Sequence, residues 1–588
     1  MQFFRRFVLL RTRPGPRPAL AGARRVLSPR GALTLHEVDG AIVFALRAAL
    51  AMGLVAVPIT LAGHPGLAVH AMLGSFTTTF GRNLPYARRA RVLAVVAVAM
   101  TALVGCGAAL AVWARPGAGG AGVAVVIAAT ALVAGGAKFV CDAARLSGLG
   151  AVLLLFSFAV AANNETTRAD VLPYTAFAAV AAVGATLAWL LGVSGRLVHP
   201  DRPERLAVAT ALRKLAELLD ASGDVPQGTR HRTTVAVLHA YQCLGVAPPA
   251  DTARTDPGRD AVFVRLTDLS WTLLIGSARH SPADPAATAL LLRRQARLLT
   301  DRRLRDPLLL TELSSQGGGT VRRPATTTAV QDGPAARRAT ELLRGRIGGR
   351  EHIAVLAVPA LRMALGTGVA GGVAALLHLE RGYWAAITAA AVLHSVNLRT
   401  TAQRAAQRTL GTVVGLLLAF AALAAHLAPV ALALLIVVLE FLLEYVVARN
   451  YALGVVFLTP MALLLSDLAA PAPPGELVLD RVLGSVVGIA VALLCALLVV
   501  HDRAAVRVER ALAACLAAVE RTERALTGLD EPPPAFVQVQ LALAVVELRE
   551  ADDAAAGELW PAGIDPPLLA ATEERAYLLL ARFHGGGN

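Results

Sequence analysis

Four arginines and two glutamates stand in stretches that otherwise carry almost no charge: Arg47, Arg362, Arg408, Arg481, Glu440 and Glu444. Placing arginine at the centre of a membrane helix costs about 2.5–3.5 kcal/mol on insertion scales, so such a residue faces a cavity or snorkels to an interface. A guanidinium aimed into a cavity attracts anions, and its planar fork can hold both oxygens of a carboxylate. Arg47 and Arg362 each lie a turn or two inside the first helix of a half, where either reading holds. Glu440 and Glu444 are four residues apart and share one helix face. Two neighbouring carboxylates in an apolar setting repel, and burial favours their neutral form, so the pair could carry a proton. The bland alternative is an ion pair with an arginine such as Arg449. His70 and His394 also fall in apolar runs and read as packed histidines.

Other chemistry is excluded. Lys138 in Gly-Ala-Lys-Phe and Lys214 in Leu-Arg-Lys-Leu do not fit the Gly-Lys-Ser/Thr end of a P-loop, whose lysine must reach the β- and γ-phosphates. The five cysteines are scattered without a CxxC pair, so neither a disulfide framework nor a structural zinc site is expected. There is no clustered nucleophile, base or metal set. We therefore expect no enzyme, no catalytic residue, no metal and no cofactor.

The elements that must hold these residues are legible from composition. Of the 588 residues, 56% are hydrophobic and 16% charged. A soluble chain carries roughly 25% charged residues. Uncharged runs place six spans at 41–62, 66–81, 92–114, 116–137, 146–164 and 171–195. Six more follow at 353–378, 382–398, 409–426, 429–447, 450–466 and 477–500. Each approaches the roughly 20 residues a bilayer requires. The expectation is an all-α polytopic membrane protein, with two repeats of about six transmembrane helices, each followed by a cytoplasmic helical region. The divisions are 1–38, a basic N-terminus; 39–195 and 351–500, the two membrane domains; 196–350, a helical domain with a linker near 315–334; and 501–588, an acidic helical tail.

Arginine distribution orients the spans. Eight lie in residues 1–38. Arg82, Arg88, Arg89, Arg91, Lys138, Arg145, Arg399, Arg404, Arg408 and Arg449 fall on that same side, and only Arg115, Arg168 and Arg381 on the other. The positive-inside rule then puts both termini in the cytoplasm of a cell-membrane protein. No long apolar run precedes residue 41, so no cleavable signal peptide is expected. The net charge of +15 thus reads as topology rather than nucleic-acid binding. Region 196–350 has 24 basic against 15 acidic residues and region 501–588 has 8 against 14, so these two are expected to pack on each other.

The halves echo one another. Ala45-Leu46-Arg47-Ala48-Ala49-Leu50, with Gly53 after it, is matched by Ala360-Leu361-Arg362-Met363-Ala364-Leu365 and Gly368. Within the second half, Arg-x-Leu-Gly-Ser/Thr-Val-Val-Gly occurs at 408–415 and again at 481–488. The two copies open spans that run in opposite directions, as an inverted three-plus-three repeat would. We expect these helices to lie close, with Arg408 at the inner mouth and Arg481 at the outer mouth of one path, and with Arg362 and Arg47 facing each other at its inner end.

With Gly382-Tyr383-Trp384-Ala385-Ala386 and Asn450-Tyr451 through Thr459-Pro460, these motifs make residues 353–500 resemble the FUSC superfamily of integral membrane transporters, which includes fusaric-acid-resistance proteins and aromatic acid exporters. The first half matches only in layout and around Arg47. The resemblance implies export of small, often aromatic, organic anions driven by the proton gradient, with Tyr383 and Trp384 beside the arginines on the substrate path. The implied partners are the lipid bilayer, the organic anion and protons, with self-association into a homo-oligomer open. A passive anion channel and a non-transporting scaffold with cytoplasmic helical domains are the alternatives.

Overall fold

The computed structural model describes residues 35, 40–82, 84–116, 120–146, 150–163, 174–221, 227–248, 259–279, 284–301, 334–343, 345, 350–395, 397–498, 503–527, 534–558 and 565–584. The basic N-terminus before Leu35 and the 315–333 part of the expected linker lie outside them. Every regular element among the described residues is helical.

The first membrane unit comprises α1 (Ala41–Leu61), α2 (Pro65–Ser75, continued by a 3-10 turn Phe76–Thr79), α3 (Tyr86–Ala114), α4 (Ala121–Ala143), α5 (Gly150–Ala162) and α6 (Tyr174–Val198). The second comprises α12 (Arg350–Leu376), α13 (Tyr383–Leu393), α14 (Leu398–Ala424), α15 (Pro429–Val446), α16 (Tyr451–Ala469) and α17 (Pro474–Leu498). Between them lie α7 (Arg202–Asp220), α8 (Gln227–Leu244), α9 (Arg259–Gly276), α10 (Pro285–Thr300) and α11 (Pro334–Leu343). After them come α18 (Arg503–Leu526), α19 (Pro534–Ala556) and α20 (Pro566–His584).

Among the described residues nine helices are long and apolar enough to cross a membrane. Three expected spans are not. Helices α2, α5 and α13 have 11, 13 and 11 residues. At 1.5 Å per residue they reach roughly 16–20 Å, well short of a hydrocarbon core about 30 Å thick. An apolar run reports what surrounds a segment, and these three are surrounded by protein: ten of eleven residues in α13 and eleven of thirteen in α5 are buried. The expectation erred the other way at α3 and α14, which begin before their uncharged runs. Asn397 starts α14 by accepting the Thr400 N–H at 2.9 Å in a capping box, so Arg399, Arg404 and Arg408 ride inside the helix.

The units meet along long seams of α1 with α15 and α4 with α12, and along shorter ones of α2 with α16 and α5 with α13. The middle helices and the tail form a single body. Leu212, Tyr241, Trp271 and Leu292 share one core with Val508, Cys515, Val545 and Leu580. Thr234 and Tyr577 hydrogen-bond at 2.8 Å, and Arg230 lies over the Tyr577 ring at 5.4 Å. The two oppositely charged regions thus do pack on each other. Burial of the shared core pushes the Tyr577 hydroxyl up and raises the Cys243 thiol to about 12.

Candidate functional site

The site grows out of two close helix approaches in the second unit. A Cβ on Gly484 would lie 2.9 Å from Trp384 Cβ, and one on Gly488 would lie 2.5 Å from the Ala385 carbonyl oxygen, so α17 packs directly on α13. A Cβ on Gly411 would lie 2.6 Å from the Ala452 carbonyl oxygen, and one on Gly415 would lie 2.8 Å from Thr459 Cβ, so α14 packs on α16. Each motif arginine stands three residues before the first glycine of its pair. Each therefore projects beside the start of the partner helix.

Both side chains are buried, at 1% exposure. Arg481 places its guanidinium carbon 4.1 Å from the centre of the Trp384 ring. Arg408 donates from Nη1 to the Tyr451 hydroxyl at 3.1 Å and from Nη2 to Thr388 Oγ1 at 3.4 Å. Arg481 is within electrostatic reach of Arg408, Tyr383 and Tyr451. Arg408 and Arg481 are therefore neighbours in one interior cluster, which corrects the placement at opposite mouths. Nε and Nη1 of Arg481, Nε of Arg408 and Nε1 of Trp384 meet no hydrogen-bond partner among the described residues.

The cluster continues both ways. Arg404 lies over the Tyr451 ring at 5.7 Å on one side. On the other, the Tyr383 ring lies 4.8 Å from that of Trp384 at a tilt of 36°, and its hydroxyl meets Ser466 Oγ at 3.4 Å. Arg381 and Asp480 close this end with an ion pair at 2.9 Å. Thr388, Arg404 and the Arg381–Asp480 pair were not singled out from the sequence. Thr388 lies in a small-residue run, and Arg404 looks like any arginine at a basic boundary. Tyr451 was part of a quoted motif without an assigned role.

The remaining candidates lie elsewhere. Arg362 donates from Nη2 to the carbonyl oxygens of Leu393, at 3.2 Å, and Ser395. Lys138 joins it there, bonding Asp142 at 2.9 Å and the His394 carbonyl at 3.5 Å. These cations satisfy carbonyls that the short helix α13 leaves open, while Arg362 Nε meets no partner among the described residues. Arg47 instead brings its Nη2 beside Gly195 of α6, where the Tyr86 hydroxyl of α3 also lies. Glu440 and Glu444 are buried on α15, which runs against α1 of the first unit. The charged neighbour of Glu444 is Arg82 and that of Glu440 is Glu444, and Glu440 Oε2 has no partner among the described residues. No group of three or more His, Cys, Asp or Glu positioned to hold a metal occurs among the described residues.

The first unit also has close helix approaches at glycine, without arginines beside them. Gly184 of α6 meets the Ala71 backbone of α2, and Gly107 of α3 lies where a Cβ would be 2.7 Å from the Phe158 carbonyl oxygen of α5. Seven residues before Gly415 and Gly488 stand Arg408 and Arg481; seven before Gly107 and Gly184 stand Met100 and Phe177. Phe177 packs on His70 at 4.3 Å, and Met100 takes a contact from Ser157 at 3.4 Å.

Residues 369–495 match the family model described as fusaric acid resistance protein-like, which covers most of the second membrane unit. The chain is similar to the uncharacterized membrane protein YvaC of Bacillus subtilis (strain 168), at 25% identity over 546 residues, 89% of this chain and 83% of that protein. No solved structure matches.

Proposed function

Taking the second membrane unit as fusaric acid resistance-like, we propose that this multi-pass membrane protein exports small organic anions, aromatic carboxylates in particular, through the cluster around Arg408 and Arg481. The observation that carries this reading is the pair of buried guanidiniums with hydrogen-bond donors still open. A buried cation without a compensating anion is costly, and a substrate carboxylate would offset that cost. Trp384 and Tyr383 offer flat faces against which an aromatic ring can lie. The Arg381–Asp480 pair closes one end of the path and Arg404 with Tyr451 lines the other. The arginine-rich ends, and with them both termini, face the cytoplasm of the cell membrane.

The energy source is the proton gradient, taken up at Glu440 and Glu444. Their burial at the seam of the two units supports this, because a carboxylate crossing between environments there exchanges a proton as the seam changes. Purified protein in liposomes should accumulate an aromatic carboxylate when a pH gradient is imposed and stop when a protonophore collapses it. Flux that ignores the gradient and follows voltage alone would make the protein a passive channel.

A further inference from the structure

The soluble body caps the start of α14, the helix that carries Arg404 and Arg408. The first four N–H groups of a helix have no partner within it, so each must be met from elsewhere. Two are met locally: the Asn397 N–H donates to Thr400 Oγ1 at 3.3 Å and the Thr400 N–H to Asn397 Oδ1 at 2.9 Å. The other two are met by the end of α19. The Leu398 N–H donates to the Glu558 carboxylate, and the Arg399 N–H to the Gly557 carbonyl at 3.0 Å. Asn397 Nδ2 adds a bond to the Ala554 carbonyl at 3.2 Å. A Cβ on Gly557 would run into the Asn397 amide, so glycine is what lets the two come this close. The Glu558 carboxylate also stands at the positive end of α14, and its charge and that of Arg362 act on each other. Arg362 in turn holds the Leu393 and Ser395 carbonyls at the end of α13.

That joint lies between two packed pairs of helices. α13 and α17 close on each other at Gly484 and Gly488, and α14 and α16 at Gly411 and Gly415. Arg481 and Trp384 belong to the first pair, Arg408 and Tyr451 to the second. The pairs meet along α14 and α17, and through the Arg408–Thr388 bond at 3.4 Å. Neither guanidinium is more than 1% exposed, so the cluster is shut in this structure. Opening it means parting one pair from the other, and the joint from α13 to α14 is where the chain passes between them. We propose that the end of α19 is a clasp on this joint. While Glu558 and Gly557 hold the start of α14 beside the end of α13, the cluster stays shut; release of α19 lets α14 swing out with α16. The use of the opened cluster for transport rests on the carboxylate path proposed above, whereas the clasp itself does not.

Hydrogen exchange on the purified full chain in detergent tests this without any substrate. Glu558→Ala removes the carboxylate and Gly557→Leu forces the Asn397 amide away, so the hold is broken by two routes. Neither residue belongs to the core that the middle helices share with the tail, so the soluble body keeps its packing. A charge-assisted hydrogen bond is strong enough that each change should speed exchange across 404–412, around Arg408, about tenfold. Downhill flux of an aromatic carboxylate through liposomes should rise with it. Glu574→Ala, at an exposed place on α20, should change neither. Faster exchange across 404–412 with no carboxylate flux in any variant would keep the clasp and remove the carboxylate path. Faster exchange confined to 397–401 would reduce α19 to a cap on one helix end and overturn the clasp, as would unchanged exchange in both variants.

Discussion

At the scale of single residues, the chemistry rests on which charges have partners. Arg362 and Arg408 both looked like isolated intramembrane arginines, and the structure separates them. Arg362 answers the open carbonyls at the end of α13 through Nη2, whereas Arg408 and Arg481 lie beside Trp384, Thr388 and Tyr451; all three keep Nε without a partner among the described residues. The sequence could not make that distinction, because what separates the two is the end of a helix from another part of the chain. The aromatic residues give a graded expectation. Trp384→Leu removes a ring under Arg481 and a face for substrate; a cation–π contact is worth about 0.5–2 kcal/mol, so affinity for an aromatic carboxylate should fall about two- to thirtyfold. An aliphatic carboxylate of equal charge should lose less, and equal loss for both would assign Trp384 to packing alone. The glutamates give a second. Glu440→Gln with Glu444→Gln should abolish gradient-driven accumulation in liposomes while leaving downhill exchange. Gradient-driven export that survives the double change would place the proton path elsewhere.

At the scale of elements, glycine spacing carried more information than hydropathy. Uncharged runs predicted twelve spans, and three of those runs proved to be helices of 11–13 residues packed inside the protein. The Gly-x-x-x-Gly spacing in the repeated motif did announce close approach: α14 packs against α17 as expected, while the glycines themselves bring α14 onto α16 and α17 onto α13. The first unit also brings α3 against α5 and α6 against α2. The steric demand is testable. Gly488→Leu would force a side chain into the Ala385 carbonyl and should destabilise the protein by about 1–3 kcal/mol, as overpacking does. Gly372→Ala, at a helix position with nothing within 4 Å, should be neutral or slightly stabilising. Thermal melting of the two proteins in one detergent reads both; equal melting points would mean the α13–α17 crossing tolerates separation.

At the scale of the whole molecule, one membrane unit holds the open guanidinium pair and the other holds apolar side chains at the corresponding places. The soluble body touches the first of these. The Arg399 N–H donates to the Gly557 carbonyl at 3.0 Å, and Asn397 Nδ2 to the Ala554 carbonyl at 3.2 Å, beside the start of α14. The charge contrast between the middle region and the tail made their pairing legible, but this docking point was not, because it depends on a turn at the end of α19. Removing the chain from Arg503 onward would expose the shared core of α7–α10 and should leave an aggregating, low-abundance protein; a normal melting profile would show that the middle helices fold alone. The central claim is that Arg408 and Arg481 bind the negative charge of the substrate, and equilibrium calorimetry tests it most directly. Purified wild type is titrated with an aromatic carboxylate and with its neutral amide, then Arg408→Gln and Arg481→Gln at matched melting temperature. Charged hydrogen bonds worth about 1.5–3 kcal/mol predict a roughly ten- to hundredfold loss of carboxylate affinity in each variant, with the amide almost unaffected. Unchanged carboxylate affinity, or equal loss for acid and amide, would contradict the account.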